Sequence, residues 1–309
     1  MSIIRNVAIA GASGDLGAPI LRALIDSNLF SITVLTRHES SAKFSDSVHV
    51  LRVDYTSVTD LTAALTDQDA VVSVLTSNAM EAQLPLIEAS INTGVKRFIP
   101  SEFCADCGNP NAATLLVYQS KNAVHELLQR RARENPQFTY TSIRIGPFLD
   151  WSLAFGFFLN LKPEPGSEAI TTPLYDGGDR PFSTSTLTTI GQAVVGVLQR
   201  PEETKNRVVF AHDLVTTQRK ILAMAREIAP DRTWNPVDVS TEDMEAAARD
   251  NYAKGNFDLQ ASMGFFCRSV FAEGYGGEFK HVDNQLLGIP EKSDKYLEEK
   301  IRTVLANSS

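Results

Sequence analysis

The stretch Val7-Ala8-Ile9-Ala10-Gly11-Ala12-Ser13-Gly14-Asp15-Leu16-Gly17 decides the fold of this chain. It joins a short apolar strand to a helical pattern through a turn whose glycines recur at every third position. In such a turn the first glycine permits a tight bend, the second lets a pyrophosphate approach the backbone, and the third lets the helix pack on the strand. The helix end offers unpaired N–H groups and a positive dipole end to phosphates. The pattern predicts a dinucleotide site that includes Gly11, Ser13, Gly14, Asp15, Leu16 and Gly17; the alternative is a glycine turn that serves packing alone.

Beyond this turn, short apolar runs alternate with stretches of helical spacing. Strands are predicted at residues 7–10, 32–35, 48–53, 70–75, 97–100 and 140–145, and helices at residues 16–25, 61–65, 83–91 and 117–133. Nearly continuous apolar strands separated by helices indicate a parallel sheet that is covered on both faces. Right-handed crossovers then favour a doubly wound arrangement. The expected fold is α/β, with a doubly wound parallel sheet in the first half.

The character of the sequence changes after Trp151. A phenylalanine-rich apolar stretch at residues 153–161 precedes a predicted helix at 186–198, a strand at 207–211 and helices at 217–228, 241–253 and 293–305. We assign residues 1–152, together with about 180–212, to a dinucleotide-binding domain. Residues 153–179 and 213–309 are assigned to a smaller α/β substrate-binding domain.

The end of the second predicted strand carries the signal for the type of coenzyme. An acidic residue there would bond the 2′-hydroxyl of NAD, whereas Arg37 lies twenty residues after Gly17 and a guanidinium suits the 2′-phosphate of NADP. Lys43 adds positive charge. The counter-interpretation gives Glu39 the acidic role. Asp54, after the third strand, is placed to bond the adenine amino group, or else to serve as a helix N-cap near Thr56.

Lys121 falls inside an apolar helical stripe that includes Val117, Val124 and Leu128. Burying an ammonium group is costly, so it is usually paired or has a lowered pKa. Such a lysine near a nucleotide site can transfer a proton or stabilise an oxyanion. The competing interpretation is a lysine that reaches solvent or pairs with a nearby carboxylate.

Composition narrows the classes of function. The chain has 309 residues, a net charge of −8 and three cysteines. An acidic surface argues against nucleic-acid binding. No run approaches the roughly 20 apolar residues that a membrane span needs, and the N-terminus does not resemble a secretory signal. We expect free thiols in the cytoplasm, no membrane association, and a monomer or homodimer.

Taken together, these residues resemble the isoflavone reductase-like group of atypical short-chain dehydrogenases, which includes phenylcoumaran benzylic ether reductases and fungal NmrA-like proteins. The most specific matching stretch is Val95-Lys96-Arg97-Phe98-Ile99-Pro100-Ser101-Glu102-Phe103; others are residues 11–17, 35–37, 69–75, 138–140, 146–148 and 176–178, with Lys121. The match is good over about the first 210 residues.

The resemblance implies a Rossmann domain that binds NADPH and a small C-terminal domain that forms the substrate cleft. It implies that Lys121 is the general acid or base and that Arg37 holds the 2′-phosphate. It further implies a cofactor lining made of Ser73, Val74, Leu75, Ser101, Glu102, Phe103, Gly146, Pro147 and Phe148.

One departure from the family pattern concerns cysteine. Cys104 stands where the family motif has glycine, and it forms a C-x-x-C pair with Cys107. A zinc site would need two more ligands, and a redox pair is conceivable. Two ordinary thiols and no metal are expected.

The expected function is reduction of a small aromatic or polyketide-like secondary metabolite by NADPH. Residues expected to contact the substrate are Tyr118, Trp151, Phe155 and Phe158. Two alternatives stay open: an NmrA-like NADP sensor without catalysis, and a non-redox isomerase or dehydratase on the same fold.

Overall fold

The structure, a computed structural model, describes residues 3–157, 159–163, 166 and 168–307, and of residues 77 and 78 only the backbone. The strands are β1 (Asn6–Ala10), β2 (Ser31–Arg37), β3 (His49–Val53), β4 (Ala70–Ser73), β5 (Arg97–Ile99), β6 (Thr139–Arg144), β7 (Ala169–Tyr175), β8 (Phe182–Thr184), β9 (Arg207–Phe210), β10 (Leu214–Thr216) and β11 (Thr233–Val239). The α-helices are α1 (Gly17–Ser27), α2 (Val58–Ala64), α3 (Gln83–Asn92), α4 (Gln119–Glu134), α5 (Leu149–Phe155), α6 (Leu187–Gln199), α7 (Gln218–Ile228), α8 (Thr241–Ala253), α9 (Leu259–Phe271), α10 (Asn284–Leu287) and α11 (Asp294–Ala306).

Seven strands form one parallel sheet in the order β3-β2-β1-β4-β5-β6-β9. The strand order reverses between β1 and β4, and Ala10 at the end of β1 pairs with Leu35 on one side and Ser73 on the other. Open α/β sheets bind ligands in the crevice beyond the carboxyl ends of their strands at such a reversal. The predicted doubly wound sheet is confirmed.

Alternate side chains of β1 explain why the sheet is covered on both faces. Val7 and Ile9 pack with α1 and α6, whereas Ala8 and Ala10 pack with α2, α3 and α4. All four side chains are fully buried. A strand that is apolar on both faces would expose one apolar face to water at the edge of the protein, so it is stable only where helices cover both sides of the sheet.

The C-terminal part contains both helices and strands, as expected, and it is mostly helical. Its strands form only two-stranded pairings, β10 with β8 and β11 with β7. A separate apolar cluster unites α5, α7, α9 and α11 with Phe182 and Leu174. The expected domain boundaries stay a prediction.

Within the described ranges, no helix has both the length and the apolar character needed to cross a bilayer.

Candidate functional site

The three glycines of the turn after β1 differ in how much space a side chain would have. Gly11 has φ +87°, and a Cβ there would lie 2.4 Å from the carbonyl oxygen of Val74. A Cβ at Gly17 would lie 2.0 Å from the carbonyl oxygen of Gly11. At Gly14 the nearest atom would be 3.6 Å away, an ordinary contact. The protein itself therefore requires Gly11 and Gly17, whereas the missing side chain of Gly14 leaves its backbone open to a ligand.

The residues that lead into α1 offer unpaired donors. In the part of the chain that the structure describes, the backbone N–H groups of Asp15 and Leu16 have no hydrogen-bond partner. They precede an eleven-residue helix that starts at Gly17, so they lie at its positive end. This is the donor arrangement that suits a phosphate group.

A cavity of about 380 Å³ opens beside this turn. It is lined by residues 14–17 of the glycine turn, 74–76 after β4, Ser101 and 103–105 after β5, Tyr118 and Lys121, 146–148 after β6, Trp151, Ser152, Phe157, Leu259, Phe266, Ser269 and Val270. The ends of β1, β4, β5 and β6 thus converge on one space, and α5 and α9 close its other side.

Lys121 is the third residue of α4 and lines this cavity while half-buried. Its Nζ donates a hydrogen bond to the carbonyl oxygen of Ser101 at 2.7 Å. The competing interpretation, a pairing with a nearby carboxylate, is wrong: in the described ranges no carboxylate lies within 4.0 Å of Nζ. An ammonium group has three N–H donors, so two remain free for a ligand.

Two further hydrogen bonds hold Ser101, whose carbonyl accepts the hydrogen bond from Lys121. The Ser101 backbone N–H donates to Oε1 of Gln83 at 2.9 Å, and the Ser101 hydroxyl donates to the carbonyl oxygen of Leu75 at 2.7 Å. Gln83 is fully buried at the start of α3. Gln83 was not among the residues predicted from the sequence, although a polar amide on the buried face of a predicted helix indicates a hydrogen-bonding role.

Glu102 points away from the cavity lining and into the protein. Its Oε2 lies 2.7 Å from Nη1 of Arg144 and 3.3 Å from Nδ1 of His125, and neither Glu102 nor Arg144 is more than 2% exposed. Burial would raise the pKa of Glu102, but the charge of Arg144 and the hydrogen bond from His125 lower it to about 2. Glu102 therefore anchors the loop that carries Ser101. Sequence reasoning did not identify Arg144.

Tyr118 lines the cavity with its hydroxyl already engaged. The hydroxyl lies 2.9 Å from Oγ of Ser269, which in turn donates to the carbonyl oxygen of Phe266 at 2.9 Å. The Tyr118 O–H must therefore donate to Ser269. Burial raises the pKa of Tyr118 well above its ordinary value, so this arrangement makes it a wall rather than a proton donor.

The aromatic wall differs from the one expected. Trp151 and Phe157 line the cavity. Phe155 is 71% exposed and packs against Trp151 outside the lining, with ring centroids 4.8 Å apart and the ring planes tilted by 34°. The chain turns at Gly156, which has φ +77° and ends α5. Phe158 lies outside the described residues.

The turn 146–148 after β6 also lines the cavity through Gly146, Pro147 and Phe148. Gly146 has φ +66°, and a Cβ there would lie 2.2 Å from the carbonyl oxygen of Ser183.

Basic side chains lie at the end of β2, in the loop that follows it and on the neighbouring strand. Arg37 and Lys43 are exposed, and Arg52 on the neighbouring β3 donates from Nη1 to the carbonyl oxygens of Arg37, His38 and Ser40. Arg52, which the sequence analysis did not single out, therefore fixes the loop that carries Arg37. None of these side chains lines the 380 Å³ cavity.

Four other residues that were expected to contact the coenzyme are also outside the lining: Gly11, Ser13, Asp54 and Ser73. Asp54 accepts hydrogen bonds from the backbone and hydroxyl of Thr56, and these bonds lower the pKa of Asp54. The alternative of a helix N-cap is wrong, because the N-cap of α2 is Ser57 and Asp54 binds only the turn before it. Ser73 is fully buried beside Ala10 of the neighbouring strand β1. Its hydroxyl has no hydrogen-bond partner in the described part of the chain. Ser13 is exposed in the glycine turn.

The cysteines differ in accessibility. Cys104 lines the cavity and is half-buried, whereas Cys107 and Cys267 are fully buried, and all three are free. The described residues contain no group of three or more His, Cys, Asp or Glu side chains that could hold a metal.

Comparison with known proteins adds a family and related structures. Residues 5–242 match the sequence profile of the NmrA-like family. Oxidoreductase aprR of Aspergillus flavus is 33% identical over 306 residues, covering 97% of this chain and 98% of that protein. Leucoanthocyanidin reductase of Vitis vinifera, solved with NADPH, has a TM-score of 0.73 at 19% identity, covering 97% of this chain and 99% of that one. AtPrR2, solved with NADP+ and (+)pinoresinol, has a TM-score of 0.72 at 20% identity, covering 98% and 99%.

Proposed function

The chain belongs to the NmrA-like family, and on that premise we propose that it is an NADPH-dependent reductase of a small, uncharged aromatic compound. The observation that carries the proposal is that one cavity is lined by the glycine turn, by Lys121 and by the aromatic side chains of Trp151, Phe157 and Phe266.

The residues present fit a phosphorylated dinucleotide. The free N–H groups of Asp15 and Leu16 and the open backbone at Gly14 suit a pyrophosphate. Arg37 and Lys43, on a loop that Arg52 fixes, suit a 2′-phosphate. NADPH, when bound, supplies the hydride. The relative named an oxidoreductase and the neighbours solved with NADPH or NADP+ support this choice.

The role of Lys121 follows from its hydrogen bonding. The bond to the carbonyl of Ser101 fixes the direction of Nζ, and the two remaining N–H donors are available to a substrate oxygen. An oxygen that gains negative charge during reduction would be stabilised and protonated there. Removing one such donor typically lowers kcat by about 10²–10³.

The lining also limits the substrate class. Among the described lining residues, only Asp15 and Lys121 carry charged side chains. Trp151, Phe157 and Phe266 provide apolar faces. Lys121 is the one cation among the described lining residues, and because it is assigned to the reacting oxygen, no other cation is left to pair a carboxylate or phosphate of the substrate. A flat aromatic or polyketide-like metabolite with a carbonyl or quinone group matches these walls.

The test combines binding and turnover. NADPH is titrated by calorimetry, and oxidation of NADPH is followed by its absorbance with a panel of phenolic ketones and quinones. We expect binding of NADPH, turnover of at least one compound, and a loss of about 10²-fold or more in kcat for Lys121→Met with little change in NADPH affinity. Lys254→Met, at an exposed position, is the matched control.

Failure to bind NADPH would overturn the proposal. Binding without turnover of any compound would instead favour the NADP-sensing alternative. A product formed without NADPH consumption would favour an isomerase or dehydratase.

A further inference from the structure

Cys104 lies in the wall of the same cavity as Lys121, a juxtaposition that the proposed reduction does not use. The residue is half-buried and lines the cavity, so a ligand in the cavity can meet it while it stays shielded from bulk solvent. In its neutral form the thiol donates to the carbonyl oxygen of Glu102 at 3.2 Å. The backbone of Cys104 is equally fixed, because its carbonyl accepts hydrogen bonds from the N–H groups of Ile145 and Gly146.

The surroundings of Cys104 favour the nucleophilic form of its sulfur. Burial by itself would raise the pKa of the thiol, but a hydrogen bond from the thiol of Cys107 and the positive charges of Arg144 and Lys121 lower it to about 6. Cys107 is the donor of this bond, which, together with burial, raises its own pKa. The thiolate is the reactive form of cysteine, so the pair places reactivity on the cavity-facing sulfur alone.

We propose that Cys104 is a covalent acceptor site for α,β-unsaturated carbonyl compounds, with Lys121 holding the carbonyl oxygen. Conjugate addition needs a soft nucleophile and a donor for the oxygen that gains negative charge. Cys104 supplies the first, and the free N–H groups of Lys121 supply the second. The apolar rings of Trp151 and Phe266 suit a flat conjugated molecule.

The step is balanced without a co-reactant. The sulfur forms a bond to the β-carbon, the C=C π bond breaks, and its electron pair moves toward the carbonyl oxygen. The proton that the thiol gives up ends on the α-carbon. The product is a thioether, and nothing is oxidised or reduced overall.

The experiment labels the intact chain at neutral pH with N-phenylmaleimide, a flat conjugated probe, and with iodoacetamide. Iodoacetamide alkylates sulfur by displacing iodide, so no oxyanion forms. Intact mass and peptide mapping give the rate and the site of each adduct. Because no NADPH is present, labelling succeeds or fails independently of the proposed reductase activity.

We expect one maleimide adduct, at Cys104, formed about tenfold or more faster than any adduct at the buried Cys107 or Cys267. Cys104→Ser should lose it. Lys121→Met should lower the ratio of maleimide to iodoacetamide rates by about fivefold, since loss of charge slows both probes but loss of the oxygen donor slows only one. Lys254→Met should leave that ratio unchanged.

Any one of three results would overturn the inference. The first adduct in the wild-type chain could form at Cys107 or Cys267 instead of Cys104. The adduct could form undiminished in Cys104→Ser, or the ratio of maleimide to iodoacetamide rates could be unchanged in Lys121→Met. The mapping of the wild-type chain needs no variant, so it decides the site even if a substitution impairs folding.

Discussion

Breaking the Glu102–Arg144 pair should destabilise the protein more than most single substitutions do. The two side chains lie 2.7 Å apart and are 0% and 2% exposed. Removing one partner leaves a buried charge without compensation, which costs about 3–5 kcal/mol. We expect this loss for Glu102→Met and for Arg144→Met separately.

The double variant should behave differently. Oε1 of Glu102 and Nε of Arg144 have no hydrogen-bond partner in the described ranges, so the pair is incompletely satisfied. Replacing a buried ion pair by apolar groups of similar size is often neutral or stabilising. The double variant should therefore be at least as stable as either single one.

Urea unfolding measures both effects. With a slope of about 3 kcal/mol per molar urea, each single variant should lower the midpoint by roughly 1 M or more. Single losses below about 1 kcal/mol, or a double loss equal to the sum of the singles, would refute the reasoning.

Acid should act on the same pair. The folded-state pKa of Glu102, about 2, lies below its value of about 4.3 in an unfolded chain. The contribution to stability is therefore present above the unfolded pKa and is lost as the pH falls from there toward about 2. The wild-type chain should lose stability across this window more steeply than the double variant, as measured by urea midpoints at each pH.

Other substitutions separate binding from folding. Gly14→Ala should keep a nearly native melting temperature but bind NADPH about tenfold more weakly in calorimetry; wild-type affinity would contradict the role given to Gly14. Gly11→Ala should instead lower the melting temperature, because its Cβ would lie 2.4 Å from the carbonyl oxygen of Val74 at φ +87°. Arg52→Ala should raise KM for NADPH several-fold with kcat unchanged, and an unaltered KM would remove it from the coenzyme loop. Arg97→Met, which removes four hydrogen bonds from a buried guanidinium, should cost about 1–3 kcal/mol in urea unfolding without changing NADPH affinity; an unchanged midpoint would contradict this.

The sequence by itself determined the doubly wound sheet and the place of the glycine turn. Both rest on local rules: continuous apolar strands require cover on both faces, and a glycine after the first strand permits a bend that no side chain could make. The position of Lys121 on an apolar stripe was equally local, as Val124 and Leu128 are buried on the same helix.

Only the tertiary structure decided which partners the polar side chains take. Glu102 lies beside Ser101 in the chain, yet it turns inward to Arg144 on β6, while Ser101 faces the cavity. Phe266 and Ser269 reach the cavity from α9, far along the chain from Lys121. Such contacts depend on how distant elements pack, and no periodicity within a single segment records which helix will cover a given strand end.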